Sequence, residues 1–181
     1  MRLILVRHPQ PLVASGVCYG RTDMAVAPAH LEQTVAALRT SLPAGPPLYS
    51  SPLRRCAELA AQLSHAPIYD DRLVEMDFGA WEMQSWDAIP RAGIDAWAAD
   101  MVNYRPGGGE SVLWMAIRIA AFHADLQRQL GADGTAIVVC HAGAMRLLSA
   151  RHAGLAPAAM ALQAAQAAHQ IAYGATLILQ D

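Results

Sequence analysis

Short apolar runs alternate along the chain with longer segments in which apolar residues recur every three or four positions. Residues 3–6 form an unbroken apolar run of strand length, and residues 136–140 form a second one. Such runs are typical of strands that are buried on both faces. Helical spacing marks residues 31–42 and 111–130, and the second of these segments opens with Ser111, a good N-cap residue. The pattern therefore predicts an α/β protein.

Proline and serine residues mark further element boundaries along the chain. Residues 48–50 predict a short strand after a proline-rich break, and residues 67–69 predict another strand. The Ser-Pro pair between them is a helix-start signal and predicts a helix over residues 51–64. A further helix is predicted at residues 142–152.

Residues 160–181 carry two conflicting signals. Their richness in alanine and glutamine favours a helix, whereas residues 171–179 have the pattern of a tight hairpin. We predict strands for this second part.

The order of these elements predicts a three-layer α/β/α fold with a mainly parallel central sheet, in one domain of residues 1–181. Ligands of such sheets bind beyond the carboxyl ends of the strands, where loops and helix N-termini meet. The residues that directly follow the strands are therefore the first candidates for a functional site.

The composition excludes several classes of protein. Of the 181 residues, 54% are hydrophobic and 15% are charged, which excludes intrinsic disorder. The formal net charge is −2, and this balance does not indicate nucleic-acid binding. No apolar run approaches the ~18 residues of a membrane-spanning helix. The three cysteines show no C-x-x-C spacing, so we expect a cytoplasmic protein with reduced thiols, without nucleic acid or membrane as a partner.

All 13 basic residues of the chain are arginine, and lysine is absent. This excludes Schiff-base chemistry and a P-loop lysine. Any anion that the protein binds is therefore held by guanidinium groups, which suit bidentate contacts to phosphate or carboxylate.

Two histidines directly follow the two clearest predicted strands. Arg7 and His8 come after the first of these strands, and His141 comes after the last. If the strands are parallel neighbours, both imidazoles face one crevice, each beside a helix N-terminus that favours an anion. An imidazole nucleophile beside a guanidinium group is what phosphoryl transfer to nitrogen requires. Taken alone, each position also fits a structural histidine.

Two further segments bring charged groups towards the same crevice. Arg54 and Arg55 lie in the first turns of a predicted helix, and because adjacent helix positions point about 100° apart, at most one of them faces the crevice. Residues 73–82 form an acidic loop rich in large apolar side chains. A carboxylate desolvated there would have a raised pKa and could act as a general acid. Surface arginines and an ordinary acidic loop are the alternative interpretations.

Together these segments resemble the histidine phosphatase superfamily, which has the phosphoglycerate mutase-like fold. The resemblance extends from residue 3 to about residue 179, and four motifs in the family's order make it specific. They appear here as Arg-His-Pro at 7–9, Ser-Pro-Leu-Arg-Arg-Cys at 51–56, Glu-Met-Asp-Phe-Gly at 75–79 and His-Ala-Gly at 141–143.

The resemblance implies a phosphomonoesterase that works through a phosphohistidine and uses no metal or other cofactor. His8 would be the nucleophile, and Glu75 would be the proton donor. Glu82 is an alternative donor, or else it hydrogen-bonds an arginine. Arg55 rather than Arg54 would point inwards. The remaining phosphate pocket would consist of Arg7, Arg55 and His141.

Two positions depart from the family pattern. Pro9 replaces the glycine that usually follows Arg-His, and Ala14 stands where an asparagine is often found. Proline has no backbone N–H, so a contact from that group to phosphate is lost. Because the arginine and both histidines remain, we expect an altered pocket geometry rather than inactivity.

Within the superfamily, residues 16–23 and 75–83 are most similar to alpha-ribazole phosphatase, an enzyme of cobalamin biosynthesis. Residues 106–111 are similar to the Gly-Gly-Glu-Ser element of the phosphatase branch. The implied reaction is hydrolysis of the small-molecule substrate alpha-ribazole 5′-phosphate to alpha-ribazole and phosphate. Histidine phosphatases or mutases of other sugar phosphates are the alternative, and a non-catalytic phosphate-binding module is a third.

The same resemblance suggests which residues line the entrance of the site. A surface turn held by Gly20 is an equally good interpretation of this segment. Trp86 and Trp97 are predicted to pack helices over the site, without contacting the ligand. The candidate entrance residues are Tyr19, Gly20, Arg21 and Thr22.

Overall fold

The computed structural model describes residues 1–166 and 171–180, and a five-stranded sheet forms its centre. The strands are β1 (Arg2–Arg7), β2 (Leu48–Ser50), β3 (Ile68–Tyr69), β4 (Thr135–Cys140) and β5 (Thr176–Leu179). Their spatial order is β3-β2-β4-β1-β5. All neighbouring pairs are parallel except β1 with β5, which is antiparallel. The sheet is therefore mainly parallel, as predicted.

Six α-helices within the described residues connect and cover these strands. They are α1 (Pro28–Ser41), α2 (Arg54–Leu63), α3 (Arg91–Ala99), α4 (Val112–Leu130), α5 (Ala142–His152) and α6 (Pro157–Gln166). The predicted cap of α4 is present, because the Ser111 hydroxyl accepts a hydrogen bond from the backbone N–H of Trp114 at 3.2 Å. Over residues 1–166 and 171–180, no helix combines the length and apolar character that crossing a bilayer requires.

Alternating side chains of β1 face two separate hydrophobic clusters. Leu3 and Leu5 pack with residues of α4, α5 and α6, whereas Ile4 and Val6 pack with residues of α1 and α2. This alternation follows from the period of two along a strand. The predicted three-layer α/β/α arrangement is confirmed.

The predicted C-terminal hairpin is wrong. A single strand, β5, pairs with β1 from Leu3–Leu179 to Val6–Thr176, so the segment uses the free edge of a distant strand instead of a local partner. The helical signal before it corresponds to α6. Residues 167–170 and 181, which the prediction also included, lie outside the described residues.

Helix α2 begins at Arg54 and not at Ser51. The backbone N–H of Ser51 donates to the carbonyl of Val139 at 3.0 Å, so this residue continues the sheet. The first turn of α2 is capped from elsewhere, because an Asp23 carboxylate oxygen accepts from the backbone N–H of Arg54 at 2.7 Å. Ser51 is thereby left at a strand end, next to the candidate site.

Candidate active site

The adjacent ends of β1 and β4 bring two imidazoles together. Arg7 and Cys140 are paired in register at the ends of these strands, so the next residues, His8 and His141, emerge side by side. Their ring centroids are 5.1 Å apart. Only 2% of His8 and none of His141 is exposed. The two rings are therefore neighbours at the position that the predicted strand ends indicated. His8 lines the adjoining cavity, whereas the cavity wall does not include His141.

The hydrogen bonding of His8 determines which ring nitrogen can react. Its Nδ1 lies 2.7 Å from the carbonyl oxygen of Pro9, and because a carbonyl can only accept, Nδ1 carries the hydrogen and Nε2 carries the free electron pair. Burial, followed by the positive charge of Arg55, lowers the pKa of His8 to about 3. At neutral pH His8 is therefore uncharged, with Nε2 available as a nucleophile.

His141 is also held as a neutral ring. Its Nε2 lies 2.8 Å from the Ser51 hydroxyl and 3.5 Å from the Cys56 sulfur. Burial, and then the charge of Arg55, holds the pKa of His141 well below its usual range. Burial also raises the pKa of the Cys56 thiol, which therefore stays protonated.

Arg55 is the inward-facing arginine of α2, as predicted. It is fully buried, and its guanidinium group donates to the backbone carbonyls of Gly20 and Thr22. Arg54, by contrast, lies at the surface and pairs with Glu58 at 2.9 Å. The 100° step between adjacent helix positions accounts for this difference.

Arg7 reaches the same crevice from β1 and is 8% exposed. It donates to the carbonyl of Ile171, and its guanidinium carbon lies 3.9 Å from the centre of the Tyr173 ring. The Nε atoms of Arg7 and Arg55 are buried without a hydrogen-bond partner, and within the described part of the chain no carboxylate pairs with either group. Buried charges in proteins are normally paired, so this arrangement favours an anionic ligand.

Glu75 lies in the wall of the same cavity. One carboxylate oxygen accepts from the backbone N–H of Met76 and the other from that of Gly143, both at 3.0 Å. A Cβ atom at position 143 would lie 2.3 Å from this carboxylate. The glycine of the His-Ala-Gly segment therefore permits the close approach of Glu75 to the start of α5.

Glu82 is not part of the cavity wall and organises a loop. Burial opposes ionisation of this carboxyl, but hydrogen bonds outweigh it and lower the pKa of Glu82. The loop that it holds supplies the two carbonyls that bind Arg55. This arrangement favours a supporting role for Glu82 over proton donation. Its oxygens accept hydrogen bonds from the backbones of Gly20, Arg21, Thr22 and Phe78 and from the Thr22 hydroxyl.

Of the four candidate entrance residues, Tyr19 lines the cavity, and the cavity wall does not include the other three. A Cβ atom at Gly20 would lie 1.9 Å from the Met76 carbonyl oxygen, so glycine is required where the loop crosses the Glu75 segment.

The Tyr19 hydroxyl lies 2.6 Å from that of Tyr173. Tyr173 was missed by the sequence analysis, because no motif relates it to Arg7.

The cavity has a volume of about 440 Å³ and two chemically different parts. Arg7, His8, Arg55 and Glu75 form the polar end. Trp86 and Trp97 line the cavity, with ring centroids 6.1 Å apart and planes 9° apart. The expected packing is also present for Trp97, which lies against a buried cluster. The other apolar side chains of the wall include Val17, Met76, Phe78, Met101, Val112 and Met115.

Arg146 also lines this cavity and was not predicted. It lies on α5, one turn beyond the His-Ala-Gly segment.

Among residues 1–166 and 171–180, no group of three or more His, Cys, Asp or Glu side chains is arranged to hold a metal ion.

The two buried histidines predict a stability that depends on pH. Because their pKa values are lower than the ~6.5 of an unfolded chain, the unfolded state binds more protons below pH 6.5. The free energy of unfolding should therefore be highest above pH 6.5 and fall as the pH drops towards 3. Between pH 7 and pH 5 we expect a loss of about 2 kcal/mol from His8, whose pKa in the folded protein is about 3.

Urea denaturation at the two pH values measures this loss. The His8→Asn variant serves as the comparison, since it should lose about 2 kcal/mol less than the wild type over the same interval. An identical pH dependence in the variant and the wild type would show that His8 is not held neutral by the fold.

Comparisons with known proteins agree with this geometry. The family model for the histidine phosphatase superfamily (branch 1) matches residues 3–172, whereas a search of curated proteins finds no match. Three solved structures are similar over most of their length. A mycobacterial glucosyl-3-phosphoglycerate phosphatase in complex with VO3 is 26% identical, with a TM-score of 0.79 and coverage of 99% of this chain and 92% of that chain. A phosphoglycerate mutase from Thermus thermophilus is 25% identical, with a TM-score of 0.73 and coverage of 99% and 92%. A mycobacterial hydrolase is 28% identical, with a TM-score of 0.72 and coverage of 89% and 82%.

Proposed function

Because the chain belongs to branch 1 of the histidine phosphatase superfamily, we propose that it hydrolyses phosphomonoesters through a phosphohistidine on His8. One observation carries the proposal: two buried guanidinium groups without a carboxylate partner in the described residues flank a neutral imidazole. A phosphate group is the ligand that satisfies both charges and accepts attack from nitrogen.

In the first step, Nε2 of His8 attacks phosphorus as the bond to the leaving oxygen breaks. The carboxyl proton of Glu75 is transferred to that oxygen, and the alcohol departs. Arg7 and Arg55 neutralise the charge on the phosphoryl oxygens. The Nδ1 hydrogen stays bonded to the carbonyl of Pro9, so the phosphorylated ring is cationic and is readily displaced.

In the second step, water attacks the phosphohistidine and the P–N bond breaks. The Glu75 carboxylate now accepts a proton from the attacking water, and inorganic phosphate is released. The electron pair of the broken bond returns to Nε2, which restores neutral His8. The pair of N–H groups that hold the Glu75 oxygens keeps the carboxyl in one place for both transfers.

The substrate that we propose is alpha-ribazole 5′-phosphate. Support comes from the apolar part of the cavity, where Phe78, Trp86 and Trp97 offer ring surfaces next to the phosphate pocket. Aromatic side chains bind flat bases by stacking, and alpha-ribazole carries such a base. Hydrolysis would then supply the free nucleoside for cobalamin biosynthesis.

A phosphoglycerate-type substrate is the alternative. Arg146 places a further cation in the cavity wall, and a carboxylate on the substrate could pair with it. Two of the similar structures are named for glucosyl-3-phosphoglycerate and for phosphoglycerate.

A comparison of kcat/KM for alpha-ribazole 5′-phosphate, 3-phosphoglycerate and glucosyl-3-phosphoglycerate tests the substrate. We expect a preference of at least about tenfold for the ribazole ester, which corresponds to about 1.4 kcal/mol of stacking. Equal or greater turnover of either acid would reject alpha-ribazole and favour the alternative.

Removal of one ring from the apolar wall should weaken the ribazole ester selectively. In Trp97→Ala we expect kcat/KM for this ester to fall about 5- to 150-fold, because stacking of a base on an aromatic side chain contributes about 1–3 kcal/mol. Hydrolysis of glycerol phosphate, which has no ring, should change little. The matched control is Trp114→Ala, since Trp114 is 52% exposed and lies outside the cavity wall. Equal losses on both esters would argue against a stacking role.

A further inference from the structure

Arg118 of α4 has a complete set of hydrogen bonds beneath the segment that carries Glu75. Its Nε and one terminal nitrogen donate to the two Glu110 carboxylate oxygens, each at 2.8 Å. The other donors reach the carbonyls of Arg72 at 2.6 Å, Val74 at 2.7 Å and Glu75 at 3.3 Å. All five guanidinium N–H groups are therefore used. The Arg118 and Glu110 side chains are 18% and 14% exposed.

This one side chain fixes the start of a stretch of backbone that lies outside the regular secondary structure. Residues 74–78 belong to no helix or strand, and their inward carbonyls need donors. The guanidinium group satisfies three carbonyls within four residues, which the three donors of an ammonium group cannot do while also bridging a carboxylate. Glu110 also fixes the C-terminal end of residues 74–78, because its backbone N–H donates to the carbonyl of Asp77 at 2.7 Å.

The carboxyl group and the backbone of Glu75 are thus fixed from two sides. Met76 and Gly143 hold the carboxylate oxygens, and Arg118 holds the carbonyl on the opposite side of the residue. Arg7 and Arg55 depend on other segments, since their partners are Ile171, Gly20 and Thr22.

We propose that Arg118 and Glu110 form a positioning pair that aligns Glu75 for proton donation to the leaving group. The proposal rests on the proposed function of Glu75. Arg118 touches neither substrate nor the reacting atoms, so its effect reaches the chemistry only through the donor. A displacement of about 1 Å in a reacting group can cost about 100-fold in rate. Loss of the pair should therefore impair leaving-group protonation and leave phosphate binding intact.

Two substrates with different leaving groups separate these effects. An alkyl ester such as glycerol phosphate expels an alkoxide that needs a proton, whereas p-nitrophenyl phosphate expels a stable phenolate that does not. In Arg118→Met we expect kcat/KM for the alkyl ester to fall about 10- to 100-fold, within the range that general acid catalysis supplies. The value for p-nitrophenyl phosphate should fall less than about threefold. Because kcat/KM covers only the steps up to departure of the leaving group, the later hydrolysis of the phosphohistidine does not enter the comparison.

Further variants keep the test decisive. Glu110→Gln removes the charge of the partner with little change of size and should give the same selective loss, even if Arg118→Met fails to fold. Arg118→Lys should not restore the wild-type ratio, because it cannot reach all three carbonyls. Arg72→Met is the matched control, since the Arg72 side chain pairs with Asp70 and Asp125 and its loss should leave the ratio unchanged. The inhibition constant of inorganic phosphate should stay constant in every variant.

Losses that are equal for both esters in Arg118→Met and Glu110→Gln would overturn the proposal, as would the absence of any loss. Glu75→Gln provides the reference, because it should show the same selectivity in a stronger form. Failure of the wild type to hydrolyse either ester, or failure of Glu75→Gln to show the selectivity, would instead contradict the proposed function itself.

Discussion

The His8→Ala variant is expected to lose hydrolysis of every phosphomonoester by on the order of 10⁵- to 10⁶-fold, the scale seen when a catalytic nucleophile is removed. The reason is that, in the proposed mechanism, Nε2 of His8 is the nitrogen on which the phosphoryl group is carried. Its neighbour His141 is fully buried behind it and is engaged with the Ser51 hydroxyl, so it cannot take over this role. Initial rates with p-nitrophenyl phosphate measure the loss.

Phosphate binding provides the control for this variant. Both guanidinium groups remain in His8→Ala, so calorimetry should still detect inorganic phosphate with an affinity within about tenfold of the wild type. Residual activity above about 1% in the variant would show that His8 is not the nucleophile. A wild type that binds phosphate but has no activity for the variant to lose would instead be a non-catalytic binding module.

The Arg55→Ala variant should lose about 10²- to 10³-fold in kcat, as happens when one preorganised donor to a developing oxyanion is removed. It should also be less stable, because the carbonyls of Gly20 and Thr22 lose the donor that holds them in the interior. An unsatisfied buried acceptor costs about 1–3 kcal/mol. Steady-state kinetics and urea denaturation measure the two effects.

Arg54→Ala is the matched control for Arg55→Ala. Arg54 is the adjacent residue of the same helix, but it is exposed and pairs with Glu58 at the surface. A surface pair contributes little to stability, so both activity and stability should stay near wild type. Equal losses in the two variants would contradict the assignment of Arg55 to the phosphate pocket.

The part of the fold that the sequence predicts well is the part that local patterns encode. The apolar runs of β1 and β4 and the capping serine of α4 lie within a few residues of the elements that they specify. Because parallel strands end at the same edge of a sheet, their positions also indicated that His8 and His141 would meet. The choice of Arg55 over Arg54 came from the family resemblance, and the burial of the two side chains agrees with it.

The features that the sequence did not predict depend on contacts between distant segments. The pairing of β5 with β1 joins residues 170 to 176 positions apart, and local alternation cannot distinguish it from a hairpin. Asp23 caps α2 from a remote loop, and Tyr173 meets Arg7 only because β5 lies beside β1. The sequence analysis did not identify Arg118, because its partners become visible only once the chain is folded.

The site residues also divide into those that local sequence patterns predict and those that depend on contacts between distant segments. A strand end followed by histidine is a local signal, and it predicted the position of His8, the proposed nucleophile, beside His141. Local sequence does not distinguish the surroundings of Glu75 from those of Glu82, because both residues belong to one acidic loop. The structure places Glu75 in the cavity wall and surrounds Glu82 with five donors.

Trapping of the phosphorylated enzyme tests the central claim most directly. In Glu75→Gln, the group that we propose to activate water is absent, so p-nitrophenyl phosphate should phosphorylate the protein faster than the intermediate is hydrolysed. Rapid quenching in base followed by peptide mass spectrometry should then find one phosphoryl group, on the peptide that contains His8 and bound to its imidazole. A phosphoryl group on any other side chain, or turnover without any phosphorylated protein, would contradict the account.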